Sequence, residues 1–316
     1  MCAESAADPE MNLTPALNPP RSRLRLLAAL RRNAVGYFFL LPALLAFATF
    51  SWYPIARGFI ISFQKYDLVK GAEWVGWSNF EFVLNDPLVP IAWRNTLQFT
   101  VLGLLIGYLV PVALAILVNE MKRGKSYFRL AYYLPVILPP MVSVLLWKWF
   151  YDMDTGLFNA ILQGLGLPTQ RWLFDRNLVM LCLVVLSTWA NAGGTMLLYL
   201  AALQGVPSHL YEAAEIDGAG LWRRLWHITL PQIRGVMLIL LVLQIIGTMQ
   251  LFTEPFVMTD GGPANATLSV VMLLYRYGFR FYNFGAAAAL GLILFFVLVA
   301  FSILYLWLTR RVSQSQ

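Results

Sequence analysis

The sequence predicts an all-α membrane protein of six transmembrane helices with one ordered cytoplasmic loop. Three observations predict it. The 316 residues are 59% hydrophobic and 12% charged, with a mean hydropathy of +0.65. Soluble domains carry about 45–50% apolar and about 25% charged residues, so lipid must be the solvent for much of this chain. The apolar residues fall into blocks of spanning length, about 20 residues each. Lys and Arg gather in alternate connections between the blocks.

Residues 1–33 open with polar and proline-bearing sequence, which predicts a disordered tail. Arg21, Arg23, Arg25, Arg31 and Arg32 make its end basic. A basic and then an apolar region resembles a secretory signal. The run 37–63 is too long for that, and no small-residue cleavage site follows it. It reads as a first span, kinked at Pro42 and Pro54. Five further spans are expected at 96–118, 130–150, 178–203, 236–258 and 284–308, each with few or no charges. Backbone groups in lipid must bond within their own segment, so these are helices. The membrane domain covers 34–311, and 312–316 form a short tail.

Lys and Arg concentrate in the N-terminal tail, in 119–129, in 204–235 and at the C-terminal end. The opposite loops carry fewer over a greater length and hold acids such as Asp67 and Asp260. The positive-inside rule therefore puts both termini and the 204–235 loop in the cytoplasm. The formal charge of +7 is spread between the spans with no single basic face, which excludes nucleic acid as a partner. Of the two cysteines, Cys2 lies in the tail and Cys182 in an apolar span, so neither a disulfide framework nor a zinc site is expected.

Gly124-Lys125-Ser126 lacks the rest of a phosphate-binding loop, because Asn119 stands where the first glycine would be. The chain thus has no ATP site of its own. His209 and His227 both fall in the cytoplasmic stretch, at a helix surface. Ion-coupled carriers place charges along their path in the membrane. Here Arg57, Lys148 and Glu254 lie near the outer ends of spans and read as snorkelling residues. Any transport would draw its energy from another chain. Gly103 and Gly107, and the run Gly285 to Gly291, give two spans small-residue faces for close helix packing, more readily within this chain than with a partner.

The stretch 211–231, YEAAEIDGAGLWRRLWHITLP, is polar yet reads as ordered. Ser208 is a candidate N-cap. Glu212, Ala213 and Ala214 favour a helix, which Gly218 and Gly220 break. A second short helix follows, with Leu221, Trp222, Leu225, Trp226 and Ile228 on one side, and Leu230-Pro231 is expected to end it. On these residues alone the stretch is either a docking element for another protein or an amphipathic loop at the lipid surface.

The pattern Glu212-Ala213-Ala214, Asp217-Gly218-Ala219, Ile228, Leu230-Pro231 resembles the EAA loop of bacterial binding-protein-dependent ABC importer permeases. Gly235 stands where that family has a further proline. Leu41-Pro42, Tyr53-Pro54, Leu134-Pro135, Pro139 and Thr259-Asp260-Gly261-Gly262-Pro263 are similar to its sugar branch, on the maltose-permease and glycerol-phosphate-permease pattern. The likeness covers residues 37–311.

The resemblance implies the type I ABC importer permease fold in the bacterial inner membrane, with no enzyme activity and no cofactor of its own. It implies a heterodimer with a second permease subunit, two ATP-binding cassette subunits that bind the ATP, and an external solute-binding protein. Glu212, Ala213, Ala214, Asp217 and Gly218 would couple to the ATPase. Glu212 makes the polar contact and Gly218 the bend. Ser187, Asn191, Gln244 and Thr248 match positions that line the sugar pocket, and Trp189 and Gln250 stand beside them. Pro140, at the matching position of the third span, offers no side-chain hydrogen bond. The competing role for these polar residues is interhelical bonding. A neutral sugar is favoured over a glycerol phosphate because no span has a central Arg or Lys. A stand-alone carrier is the rival from another class.

Overall fold

The structure, a computed structural model, describes residues 34–67 and 71–314. The expected tail 1–33 lies outside the described residues. The chain divides into two units at Arg57. Helix α1 begins at Ala34–Phe47, passes through a π turn at Ala48–Trp52 and continues as Tyr53–Ile61. The kink expected at Pro54 is this wider turn. A proline has no N–H for the carbonyl four residues back, and its ring presses on that carbonyl, so the helix widens to relieve the clash.

The second unit opens with a two-stranded antiparallel ribbon, β1 (Gln64–Asp67) and β2 (Gly71–Trp74), with Gln64 opposite Trp74. This is a small departure from the all-α expectation. Helix α2 (Ser78–Asn85) follows. The second span, α3, runs Leu88–Glu120 with a π turn at Gly103–Tyr108 ahead of Pro111.

The expected third span is broken. Helix α4 (Lys125–Ile137) and α5 (Pro140–Phe150) meet at a bend of 98°. Leu138 and Pro139 each precede a proline, a position disfavoured for helical backbone. Both are extended, with ψ of 138° and 133°. After α6 (Leu157–Gly164) comes α7 (Val179–Gln204), the fourth span, within a residue of its expected ends.

Helix α8 (Ser208–Ile216) leads to α9, which runs unbroken through Leu221–Arg224, a π turn at Leu225–Thr229 and Leu230–Met249. Leu230-Pro231 therefore does not end the cytoplasmic element. The π turn absorbs Pro231, and the second helix of the loop is the foot of the fifth span. That span is interrupted at residues 250–252 and resumes as α10 (Thr253–Met258), so it reaches the expected residue 258. Pro255 would press on the Leu251 carbonyl in a continuous helix. Helix α11 (Val270–Tyr275), a last π turn at Arg276–Arg280 and α12 (Phe284–Gln314) complete the fold.

Helix α7 is the hub, touching α3, α4, α5, α9 and α10. Buried apolar side chains form three clusters. One joins Val83, Leu268, Met272 and Leu290. A second joins Phe99, Trp147, Leu183 and Met258, and a third joins Ala115, Met196, Tyr199 and Ile233. The small-residue faces serve contacts within the chain. A Cβ on Gly103 would stand 3.1 Å from Thr248 Cγ2, and one on Gly107 would stand 3.1 Å from Gln244 Nε2. Gly285 packs against Gln64 and Asn79, and Gly291 against Leu274.

Candidate functional site

Two places answer to the sequence expectations: a polar cavity between α3, α7 and α9, and the α8–α9 corner. The cavity holds about 430 Å³. Ser187, Asn191, Gln244, Thr248 and Gln250 all line it, together with Thr188, Thr195, Thr253 and Glu254. Gly103 and Gly107 line it on α3, where a Cβ would crowd Thr248, Gln244 and Thr188.

The polar groups bond mostly within their own helices. Asn191 donates to the Ser187 carbonyl at 2.8 Å, Thr248 to the Gln244 carbonyl at 2.9 Å, and Gln250 to the Ile246 carbonyl at 3.1 Å. These three bonds do not glue helix to helix, as the competing reading required. The Asn191 and Gln250 side-chain carbonyls are left over as acceptors, since each bond uses only the amide nitrogen.

Trp189 takes no part in this wall. It lies on another side of α7, 5.5 Å from Trp147, and lines an apolar cavity with Ile106, Val110 and Tyr132. Helical geometry is the reason: residues 187 and 191 share a face, and 189 falls on the opposite one.

Two residues read as snorkelling do something else. Lys148 donates to the Val257 carbonyl at 2.9 Å, tying α5 to α10. Glu254 turns inward, meets Ser187 and lines the polar cavity. Position along the span does not disclose this inward placement; Glu254 lies in the first turn of α10, just after the interruption at residues 250–252. Pro140 lines a smaller cavity of about 200 Å³ that adjoins Asn191, Thr253 and Glu254.

At the corner, Gly218 has φ +73°, the left-handed region. Ala219 donates to the Ala214 carbonyl at 2.8 Å and Gly218 to the Glu215 carbonyl at 3.0 Å. That pair of bonds closes a helix C-terminus with glycine at the turn. Ser208 is not the cap; Pro207 holds that place without a side-chain bond. Glu212, Ala213 and Asp217 are exposed, and Ala214 is half-buried. Tyr211 reaches Thr229 and Glu215 reaches Arg224, at 3.1 and 3.7 Å. Leu221, Trp222 and Leu225 line a cavity against Ile116 and Leu117, while Ile216, Trp222 and Trp226 stay largely exposed. His209 and His227 are exposed on the helix surface. Lys125 donates to the Asn119 carbonyl at 2.7 Å, which gives that lysine a structural partner.

The segment Thr259 to Pro263 forms an ordered loop. Thr259 and Thr267 share a hydroxyl bond of 2.7 Å, and Asp260 pairs with Arg280 at 2.7 Å. That bond raises the Arg280 pKa above its ordinary value. Among the described residues no cluster of His, Cys, Asp and Glu could hold a metal ion.

Residues 100–314 match the family described as binding-protein-dependent transport system inner membrane component. The chain belongs to that family. It is accordingly a multi-pass transport component rather than an enzyme. It is 35% identical to the arabinooligosaccharides transport system permease protein AraP of Bacillus subtilis strain 168, over 88% of this chain and 89% of that one. It is 30% identical to the trehalose/maltose transport system permease protein MalF of Thermococcus litoralis, over 89% and 95%. A solved bacterial ABC transporter that imports the acidic polysaccharide alginate superimposes with a TM-score of 0.82. The identity there is 25%, over 91% of this permease component and 99% of that chain.

Proposed function

We propose that this chain is half of the translocation pore of an ATP-driven importer for a sugar or oligosaccharide. The observation that carries the reading is the polar cavity lined by Ser187, Asn191, Gln244, Thr248 and Gln250. Sugars need several hydrogen-bond partners held in a fixed array, and amides and hydroxyls supply both donors and acceptors. The permease relatives named for arabinooligosaccharides and for trehalose/maltose support the substrate class. Its partners are a second permease, two ATP-binding cassette subunits and an external solute-binding protein. Glu212, Ala213, Ala214, Asp217 and Gly218 form the surface that an ATPase subunit grips. Both termini and this corner face the cytoplasm, by the distribution of Lys and Arg.

The test uses the chain purified with its co-expressed second permease and ATPase. Hydrolysis of ATP is measured with the binding protein and a panel of sugars, amino acids and peptides. Stimulation by one or more sugars is the expected result. Stimulation by an amino acid or peptide and by no sugar overturns the substrate class.

A further inference from the structure

We propose that Glu254 is a specificity residue of the cavity, accepting hydrogen bonds from sugar hydroxyls and excluding sugars that carry a carboxylate. The inference rests on the sugar-importer reading above and goes beyond it by assigning a charge rule to the pore.

Three observations converge on this side chain. Glu254 sits where the polar cavity meets the smaller one beside Pro140, so it borders both volumes. It is the one ionisable acid in the polar wall, and no Lys, Arg or His lines that wall. Among the described residues it forms no salt bridge. The fold spends two helix breaks at this point. Leu138 and Pro140 of the first break line the smaller cavity, and Glu254 directly follows the interruption at residues 250–252 between α9 and α10.

A carboxylate has two acceptor oxygens and no donor. Its neighbours Asn191 and Gln250 have already directed an amide nitrogen to their own helices. Together with their side-chain carbonyls, Glu254 adds acceptors to a wall that faces a ligand rich in O–H donors. Hydrogen bonds to an ionised acceptor are roughly twice as strong as neutral ones. A second carboxylate brought into the same confined space meets like-charge repulsion that little water screens. The same group thus rewards hydroxyls and rejects uronates.

The experiment measures direct binding to the purified complex of this chain, its second permease and its ATPase. The binding protein is left out, so that its own selectivity does not enter. The probes are radiolabelled neutral oligosaccharides and oligouronates of equal length. The wild-type complex is expected to hold the neutral ligand at least about tenfold more tightly. Glu254→Gln should weaken the neutral ligand by about tenfold and bring the uronate to within about threefold of it. Glu254→Asp keeps the charge and should keep the exclusion. Equal binding of neutral and acidic ligands by the wild type overturns the inference without any variant. So does unchanged discrimination in a fully assembled Glu254→Gln complex. If the wild type binds no saccharide here while sugar-loaded binding protein still stimulates hydrolysis, this inference falls and the sugar reading stands; if neither occurs, the sugar reading falls too.

Discussion

The Tyr211 hydroxyl lies 3.1 Å from the Thr229 hydroxyl, joining α8 to the foot of α9. Thr229 also lies 3.4 Å from the Arg224 carbonyl. Helix α9 then runs to Met249 and carries Gln244 and Thr248 into the cavity. One hydrogen bond, the Glu215–Arg224 pair and a continuous helix thus connect α8 to the wall of the polar cavity. Tyr211→Phe removes the bond, worth about 1 kcal/mol. The expected result is a drop of about fivefold in sugar transported per ATP hydrolysed, with the complex still assembled. Transport and hydrolysis measured on the same proteoliposomes give the ratio.

The turn at Gly218 makes a second prediction. Its φ of +73° costs a residue with a Cβ about 1–2 kcal/mol. Among the described residues, none beyond its chain neighbours comes within 4 Å of that Cβ, so the cost is in the backbone. Gly218→Ala should leave the spans folded and lower coupling, and Gly218→Pro should abolish it, since proline cannot adopt a positive φ. Glu212→Lys should uncouple too, through reversal of an exposed charge. Thermal unfolding of the variants should match the wild type to within a few degrees. Full transport by Gly218→Pro and Glu212→Lys would remove this corner from the coupling path.

Much of this was legible in the sequence, for identifiable reasons. Hydropathy reports partition into lipid, so α7 was found almost to the residue, and the turn at Gly218 followed from glycine alone. Hydropathy does not report direction. The 98° bend between α4 and α5 follows from paired prolines, but the cavity it opens depends on what packs there. Leu230-Pro231 looked like a stop because proline ends most helices, yet a π turn lets the helix pass. Glu254 looked like a snorkelling end residue because position along a span was visible and the break before Pro255 was not. Trp189 offers the aromatic face a sugar pocket needs, but a helix separates neighbours by about 100°, which turns it away from Ser187 and Asn191.

Gly193 makes a prediction about assembly. A Cβ on it would overlap the Tyr132 carbonyl, where α7 crosses α4 at backbone contact. Overpacking a close contact costs about 1–3 kcal/mol and more when the clash is with backbone. Gly193→Ala should therefore cut recovery of the complex or lower its melting temperature by several degrees. Gly194→Ala, whose Cβ would find Val136 at an ordinary 3.8 Å, is the control and should be neutral. Fluorescence-detected size exclusion of the two variants after graded heating separates them.

The two faces of α7 make the last prediction. Asn191 and Trp189 are two residues apart, but one lines the polar cavity and the other packs at a tilt against Trp147 and lines an apolar one. Substrate contact and packing should then part cleanly. Asn191→Ala removes an amide from the cavity wall, and sugar-stimulated hydrolysis should need about tenfold more sugar-loaded binding protein or lose its maximum. Trp189→Phe keeps an aromatic ring in the cluster and should leave the sugar dependence unchanged while lowering thermal stability by about 1 kcal/mol. Steady-state hydrolysis against sugar concentration, with a melting curve for each variant, reads both effects. The reverse pattern, with Trp189→Phe shifting sugar dependence and Asn191→Ala silent, would move the substrate to the other side of α7 and take the role of Gln244 and Thr248 with it.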